Sequence, residues 1–524
     1  MNAKLPMPHL PSSAWLSVLV VAVFAGLGVW LRPPGLVGDT DVVRIANGML
    51  HAHARGMPLD PAHAPGFAQH FGYYATLALA LPASVYRNGT TLLDALSLVG
   101  LMSGVLAFGA YALLAWRRFG EKGVLATALV TLSPMTIALS YSGHPLLPSA
   151  ALLFLGAVLV HPKPVVRAGI ALGLEIAAVV LWVGSLTVRA EALLAMPWLV
   201  ALAWEGPSTG RGARLARRLA IVGLSVITFG VIQNRMIPHS SGARELRAFL
   251  EVFLGRDTYS RAGMFMLLGI GVGTWVIAAV GLLRGALRPE LRSRLILALV
   301  LVIPTVVFWI PVPAPSRHFF YALVGLSELA LLAVRWREAR AFALLALTVV
   351  VANFALAEAL YGPISRRYAW KYPAMTSRRA TVSVPLGWFL PDRNAIGRML
   401  ATSRDEGRRL AAFETRDVLA FADESPLMVM AFVERGDVTH LCDTLVTGMQ
   451  AEHLARGSQH IYIIRKSSHW PRDVEATLLA RDPFPHAAIY TQPHTLSSYD
   501  VKRDLFPERR LHIDDLPRVV PNLK

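Results

Sequence analysis

The sequence has a single cysteine, Cys442, in a chain of 524 residues. One thiol cannot form a disulfide within its own chain, so a small secreted fold held together by disulfides is excluded. Charged residues are also scarce, at 16% of the chain compared with about 25% in soluble globular domains. Internal repeats and low-complexity tracts are absent from the sequence as well. The low charge argues against an ordinary soluble domain.

The chain is rich in long apolar segments. Hydrophobic residues make up 54% of the chain, and the mean hydropathy is +0.47. Several apolar segments are long enough to cross the roughly 30 Å hydrocarbon core of a bilayer. The net charge is +17, but the basic clusters lie in short loops between apolar segments, as the positive-inside rule describes. The composition therefore predicts a multi-pass membrane protein whose partner is the lipid bilayer and not nucleic acid.

Five basic clusters orient the predicted spans, because short loops rich in Lys and Arg stay in the cytoplasm. The clusters are Arg117, Arg118 and Lys122; Lys163 and Arg167; Arg211, Arg214, Arg217 and Arg218; Arg284, Arg288, Arg292 and Arg294; and Arg335, Arg337 and Arg340. The predicted spans are about 14–31, 92–116, 124–141, 146–160, 168–187, 191–205, 219–234, 264–283, 295–312, 319–334 and 341–361. The first span has no small-residue cleavage site, so we expect a retained helix. These eleven spans place the N-terminus in the cytoplasm and the C-terminus in the periplasm.

Residues 71–86 are apolar, but they are few for a membrane span, and counting them as a span would invert the orientation of every later loop. We therefore predict an interfacial helix inside one long outer loop, residues 32–91. The other outer segments are 140–148, 186–193, 235–263 and 314–321. We expect these segments and the long loop to converge on one cavity.

The composition changes after Tyr361, and residues 362–524 hold about half of all the Asp and Glu. Apolar stretches at 410–414, 460–466 and 486–490 are typical of buried strands, and helical patterns lie between them. Strands that alternate with helices indicate an α/β domain. The predicted organisation is a helical membrane module over residues 1–361 and a soluble periplasmic α/β domain over residues 362–524. The second domain has no glycine-rich phosphate loop and no metal-ligand spacing.

Two acidic residues directly follow the first predicted span, in "GDTDVVRIANGML". Asp39 and Asp41 begin an amphipathic helix, where an acidic side chain commonly caps backbone N–H groups. At the outer lip of a membrane span, a carboxylate can also take a proton from an acceptor hydroxyl or amine. Asp39 and Asp41 are therefore the candidate catalytic residues.

Other polar residues of the outer segments are candidates for binding a phosphate. They are His70, Tyr74, His144, Arg189, Arg317 and His318. A single arginine beside an apolar span commonly only extends to the interface. As a group, these residues predict a cationic rim, in which arginine can bind a phosphate through two parallel hydrogen bonds. Among the acids within or near spans, Glu175, Glu328 and Glu358, we expect only Glu175 to lie deep, in a functional role or paired with a neighbouring helix.

The order of these motifs resembles the GT-C glycosyltransferases, especially the bacterial aminoarabinose transferases and the protein O-mannosyltransferases. The first outer loop of that family has an acidic motif and two helices, which "GDTD", "IANGML" with Gly56, and "HFGYYATLALAL" resemble. Later family motifs are similar to "LSPMTIALSYSGHPLLP", "TVRAEALLAMPWL" and "RHFFYAL". The resemblance covers about residues 10–335. The family's paired prolines are absent here, and His70 lies roughly where the family has a lysine or histidine.

The resemblance implies an enzyme of a bacterial inner membrane that transfers a sugar from a polyprenyl-phosphate donor to a lipid, glycan or protein acceptor of the cell envelope. It implies that Asp39, or else Asp41, acts on the acceptor in a single displacement with inversion. It also implies that His70, Arg189 and Arg317 hold the donor phosphate. The second outer loop lacks the acidic residue that metal-dependent oligosaccharyltransferases have there, although Asp39 and Asp41 together could hold a divalent metal.

Three other functions would suit a chain of this kind. A lipid-linked glycan ligase or polymerase would use the same donor chemistry, but it favours a long outer loop late in the chain, and here the first loop is the long one. A transporter or flippase favours polar residues near the bilayer midplane and a two-half repeat, whereas the polar candidates here lie at the outer edge. A non-catalytic scaffold is the third. The sequence favours the glycosyltransferase.

Overall fold

The computed structural model describes residues 12–31, 67–87, 89–161, 168–205, 209–236, 266–267, 269–310, 316–335 and 339–371, five short strands, and positions 42, 46, 49 and 53. The helices are α1 (Ser12–Leu31), α2 (Phe67–Ala80), α3 (Gly89–Phe119), α4 (Gly123–Thr131), α5 (Pro134–Ser142), α6 (Leu146–Val160), α7 (Ala168–Val188), α8 (Met196–Ala201), α9 (Arg211–Met236), α10 (Val272–Leu287), α11 (Arg292–Trp309), α12 (Phe320–Ala333) and α13 (Ala339–Lys371). Short 3₁₀ segments include Ala190–Ala195, Leu202–Glu205 and Ser316–Phe319. Each of the eleven predicted spans is helical over most of its described length.

Five of the described helical segments are long and apolar enough to cross a membrane, and a sixth is reached if α5 and α6 count as one bent span. The others have a shorter apolar stretch, as in α10, α12 and the Arg340–Leu356 part of α13, or are interrupted by 3₁₀ turns, as at 190–205. The protein is therefore a multi-pass membrane protein, and the count of eleven stays a prediction. Helix α2 has 14 residues, which is about 21 Å and too short for a span, and it packs against α7.

The predicted span 124–141 is two helices, because Ser133 and Pro134 break it. Pro134 is the first residue of α5 and has no backbone N–H to continue a helix from α4. The Ser133 hydroxyl oxygen accepts a hydrogen bond from the Thr136 N–H at 3.2 Å and so caps the new helix. The new helix ends at Ser142, directly before the turn at Gly143 and His144.

Glycines allow close helix contacts in the interior, as is common in membrane proteins. Helix α10 packs against α12 at Gly281, where a Cβ atom would lie 1.8 Å from the Leu329 carbonyl oxygen. Helix α6 packs against α7 at Gly156, where a Cβ atom would lie 2.4 Å from Trp182 Nε1. At Gly281 the absence of a side chain lets the two backbones approach closely, and at Gly156 it leaves room for the Trp182 ring.

The variant Gly281→Ala is expected to lower the thermal midpoint of unfolding in detergent, because the added methyl group pushes α10 away from α12. Overpacking of this kind costs about 1–3 kcal/mol. Gly109→Ala is the control, because a Cβ atom at Gly109, also within a helix, meets no atom within 4 Å. A midpoint that falls equally in both variants would contradict the close contact at Gly281.

Several basic side chains of the predicted cytoplasmic clusters bind helix C-termini. Arg117 Nη1 donates to the Val158 carbonyl near the end of α6 at 3.0 Å, and Lys122 Nζ donates to the Val334 carbonyl just after α12 at 3.0 Å. Arg284 Nη1 donates to the last carbonyls of α12 at 3.0 and 3.1 Å. Positive charge at a C-terminus satisfies free carbonyls and complements the helix dipole, so these clusters also stabilise the fold.

The burial of the acidic residues within or near the spans differs from the prediction. Glu175 was expected to be the only deep one, but it lies at the edge of the bundle with 20% of its side chain exposed, and it pairs with Arg217 on the neighbouring α9. Glu328 is the deep one, at 3% exposure, because Arg118 compensates its charge inside the bundle. The side chain of Glu358 lies outside the described residues.

Five strands follow the last helix: β1 (Val418–Ala422), β2 (Val438–Leu441), β3 (His460–Arg465), β4 (Ala488–Thr491) and β5 (Arg510–His512). They form one parallel sheet in the order β2-β1-β3-β4-β5. Strands β3 and β4 coincide with or overlap the predicted strands 460–466 and 486–490, and the predicted strand 410–414 lies outside the described residues. The helices predicted between the strands also lie outside them, so the α/β domain stays a prediction. Helix α13 runs ten residues past the predicted domain boundary at residue 361.

Candidate active site

A tight turn between α5 and α6 begins the site. Gly143 has φ of 68°, which favours glycine, and a Cβ atom there would lie 2.9 Å from the backbone of Leu96 on α3. The hydroxyl of Tyr73 on α2 donates a hydrogen bond to the Gly143 carbonyl at 2.7 Å. Burial raises the pKa of this tyrosine, so it stays a donor. The turn places His144 at the end of the bundle with no solvent exposure.

Arg189 lies at the centre of the site, at the point where α7 ends. Its backbone is extended, with φ of −156° and ψ of 112°, and its side chain is buried. The guanidinium contacts three groups from other parts of the site. Its Nε donates to the Glu191 carboxylate, its Nη1 donates to His144 Nε2 at 2.9 Å, and its Nη2 lies 3.3 Å from His318 Nδ1.

Arg189 fixes the tautomer of His144. A guanidinium stays protonated and can only donate, so His144 Nε2 must accept and the hydrogen of the neutral ring must lie on Nδ1. The Leu146 N–H also faces Nδ1, at 3.2 Å, but a neutral ring cannot accept at both nitrogens. The contact between Arg189 Nη1 and His144 Nε2 is the stronger of the two, because it is shorter and charge-assisted. His144 is therefore neutral, and it contributes polarity and no charge.

Glu191 joins Arg189 to His318, which lies in the 3₁₀ turn before α12. His318 Nδ1 is in short contact with the Glu191 carboxylate, and since Arg189 cannot accept, the Nδ1 hydrogen points to Glu191. Burial by itself would raise the pKa of Glu191, but the charges of Arg189 and His318 outweigh it and hold this pKa well below its ordinary value. Burial lowers the pKa of His318, and Glu191 opposes that effect only in part. At neutral pH, Glu191 is thus ionised.

His70 reaches the site from α2. Helix α2 is kinked at His70, with φ of −138° and ψ of 22°, and His70 Nδ1 donates to the Val188 carbonyl at 3.2 Å. Val188 directly precedes Arg189, so His70 holds the chain where α7 ends. The ring centroids of His70 and His144 lie 6.4 Å apart. Tyr74 is buried on the same helix.

Arg317 and Trp309 complete the described surroundings of His318. Arg317 is buried beside His318 in the chain, and its charge contributes to lowering the pKa of that histidine. The ring centroids of Trp309, at the end of α11, and of His318 lie 4.0 Å apart. The site therefore collects side chains from α2, the α5–α6 turn, the end of α7 and the start of α12.

The structure brings His70, His144, Arg189 and His318 together, as the sequence predicts for the outer segments. Asp39 and Asp41 lie outside the described residues. Of the helix predicted after them, Val42, Ala46 and Met49 are described, helical and buried, at the spacing of one helix face. The functional roles of Asp39 and Asp41 stay predictions.

Sequence reasoning missed Glu191. Its signals are its place in the family-like segment "TVRAEALLAMPWL" and the Arg-x-Glu spacing in "VRAEA", but the same spacing occurs at Arg288 and Glu290, where both side chains are largely exposed. Only the fold shows which of the two pairs is buried beside a histidine. Within the described residues, no group of three or more His, Cys, Asp or Glu side chains could hold a metal ion.

Three solved structures are similar to the chain. A crystal structure of ArnT from Cupriavidus metallidurans bound to undecaprenyl phosphate aligns with a TM-score of 0.50 and 15% identity, over 85% of this chain and 88% of that one. The same protein in the apo state gives 0.48 and 16%, over 86% and 88%. The Archaeoglobus fulgidus oligosaccharyltransferase in complex with Zn and sulfate gives 0.41 and 14%, over 84% and 67%. No protein-family model and no curated protein matches the chain. The chain therefore shares the fold of the first of these structures, in line with the fold that the sequence resemblance implies.

Proposed function

We propose that this protein is an integral membrane glycosyltransferase of the bacterial inner membrane. It transfers a sugar from a polyprenyl-phosphate donor to an acceptor of the cell envelope, at the extracytoplasmic face. The observation that carries the proposal is the buried cluster of Arg189, His144 and His318. Three segments far apart in sequence bring these groups to one end of a helical bundle that has the GT-C fold.

The cluster suits a phosphate that is attached to a lipid. Arg189 uses its Nε on Glu191, so the Nη1 and Nη2 amino groups are the donors that can bind phosphate oxygens. Arg317 adds a second permanent positive charge, which leaves the three charges of Arg189, Arg317 and Glu191 with a sum of about one positive charge at neutral pH. The apolar outer faces of the helices offer a surface for the polyprenyl chain. The undecaprenyl phosphate bound in the ArnT structure supports this donor class.

The reaction is a single displacement at the anomeric carbon. Asp39, or else Asp41, takes the proton of an acceptor hydroxyl or amine, and the acceptor atom bonds to the anomeric carbon. The bond between that carbon and the phosphate oxygen breaks, and the lipid phosphate leaves with the electron pair. Arg189 stabilises the charge of the departing phosphate, so no strong general acid is required. Inversion at the anomeric carbon follows from a single displacement.

Substitution of Arg189 tests the phosphate site. In membranes of a deletion strain, Arg189→Gln is expected to lower transfer by about 10²-fold, because an aligned charged donor is lost. Arg189→Lys keeps the charge without the planar fork and should lie between wild type and Arg189→Gln. The measurement is mass spectrometry of envelope lipids and glycans at matched expression.

Arg217→Gln is the matched control, because Arg217 also pairs with a glutamate but its side chain is 55% exposed at the bundle edge. This variant should transfer at the wild-type rate. Wild-type product levels from a folded Arg189→Gln variant would overturn the proposed role of this cluster. A sugar-sized mass difference between the deletion strain and wild type identifies the transferred group.

A further inference from the structure

Glu191 is a buried carboxylate that the proposed reaction does not use. Its side chain is 14% exposed, and its two partners, Arg189 and His318, are 4% and 14% exposed. An ionised carboxylate in such surroundings is costly unless it is paired and hydrogen-bonded. Both of its oxygens are engaged, Oε2 by Arg189 and Oε1 by His318. The carboxylate therefore connects two candidate phosphate-binding groups from different helices.

Each of the two contacts selects one arrangement of its partner. Because Arg189 Nε is held by Glu191, rotation of the guanidinium is restricted, and Nη1 points to His144 and Nη2 to His318. His318 Nδ1 donates to Glu191, and this contact fixes the orientation of the ring, with Nε2 facing away from Glu191. At metal sites, a carboxylate that fixes the tautomer and the orientation of a neighbouring histidine ring contributes about 10–100-fold to metal affinity or activity, and we expect an effect at the lower end of this range here.

We propose that Glu191 is a positioning residue, whose carboxylate holds the Arg189 guanidinium and the His318 imidazole in the arrangement that receives the lipid-linked phosphate; this inference rests on the proposed function. Charge alone would have the opposite effect. Glu191 is negative and lies beside the cation of the site, so its neutralisation would strengthen anion binding if position did not matter. The sign of the effect therefore separates a positioning role from a merely neutralising one.

The test measures the dissociation constant of undecaprenyl phosphate for the full-length protein in nanodiscs. Undecaprenol, which lacks the phosphate, reports binding of the polyprenyl chain alone. Glu191→Gln keeps the shape of the side chain and removes its charge, and it is expected to weaken undecaprenyl phosphate binding by about tenfold while undecaprenol binding is unchanged. Glu290→Gln is the control, since Glu290 has the same spacing from an arginine but is 62% exposed. It should bind both lipids as wild type does.

Unchanged or tighter phosphate-lipid binding by Glu191→Gln, together with weaker binding by Arg189→Gln, would overturn the positioning role and leave the proposed function intact. If the wild type binds undecaprenyl phosphate no better than undecaprenol, the phosphate site itself is wrong, and the inference fails with it. If Glu191→Gln does not fold, Glu191→Asp decides. This shorter carboxylate cannot reach both partners, so binding should weaken, and wild-type affinity would contradict the proposal.

Discussion

The Asp39→Asn variant is expected to fold normally and to lose about 10²- to 10⁴-fold of the transfer rate, which is the usual contribution of general-base catalysis. Asparagine has nearly the shape of aspartate and can still cap a helix, so a capping role predicts little change. A base must accept a proton, which the amide of asparagine cannot do at neutral pH. The measurement is single-turnover transfer from a polyprenyl-phosphate sugar in membranes with matched expression.

Asp41→Asn serves as the paired variant in that experiment, because it lies on the same predicted helix start, two residues away. Asp39 is preferred as the base, so Asp41→Asn should keep a larger part of the rate. Should the losses be reversed between the two variants, Asp41 is the base and the mechanism is otherwise unchanged. Wild-type rates in both would identify the acids as helix caps and would remove the proposed base.

The Arg118→Met variant is expected to lose much of its stability. The Arg118 side chain is 1% exposed and donates hydrogen bonds to two carboxylates. It donates two bonds to Glu205, at 2.7 and 2.9 Å, and two to Glu328, one at 3.0 Å and one shorter. Its removal leaves the buried Glu328 and the mostly buried Glu205 without this cation, and breaking a buried pair in this way costs about 3–5 kcal/mol. The measurement is the thermal midpoint of unfolding in detergent, with the amount of folded protein in membranes as a second readout.

The matched control is Arg217→Met, which breaks the more exposed pair with Glu175 and should cost less than about 1 kcal/mol. The double variant Arg118→Met with Glu328→Gln should recover part of the lost midpoint, because one unpaired acid is then neutral. Equal midpoints for Arg118→Met and Arg217→Met would show that the buried cluster does not stabilise the fold. The cluster lies at the opposite end of α3 and α12 from the candidate active site, so we expect its effect on stability and not on specificity.

Periodicity and composition were sufficient to locate the helices. Apolar segments of membrane length predicted helices such as α3, α6 and α7 at nearly their observed positions, because the bilayer permits few alternatives for an apolar segment. The break at Ser133 and Pro134 was missed, although both residues are typical of a helix start. The apolar character of the whole segment 124–141 hides these local signals.

The residues of the site were predicted in part. His70, His144, Arg189 and His318 stand out in sequence because polar residues are rare in segments that connect apolar helices, and the structure brings all four together. Glu191 did not stand out, and Glu175 was expected to be deeper than Glu328. In each of these cases the sequence gives the charge, whereas burial depends on which helices are neighbours.

The sequence by itself determined that the chain is a multi-pass membrane protein and which segments are apolar, since the hydrophobic effect acts on each segment locally. It also identified the polar residues that interrupt this pattern. Only the tertiary structure decided which of these residues meet. Arg189 and Arg288 have the same local motif, but one lies against His144 and His318 and the other is exposed, because partners separated by 45 and 129 positions come together only through helix packing.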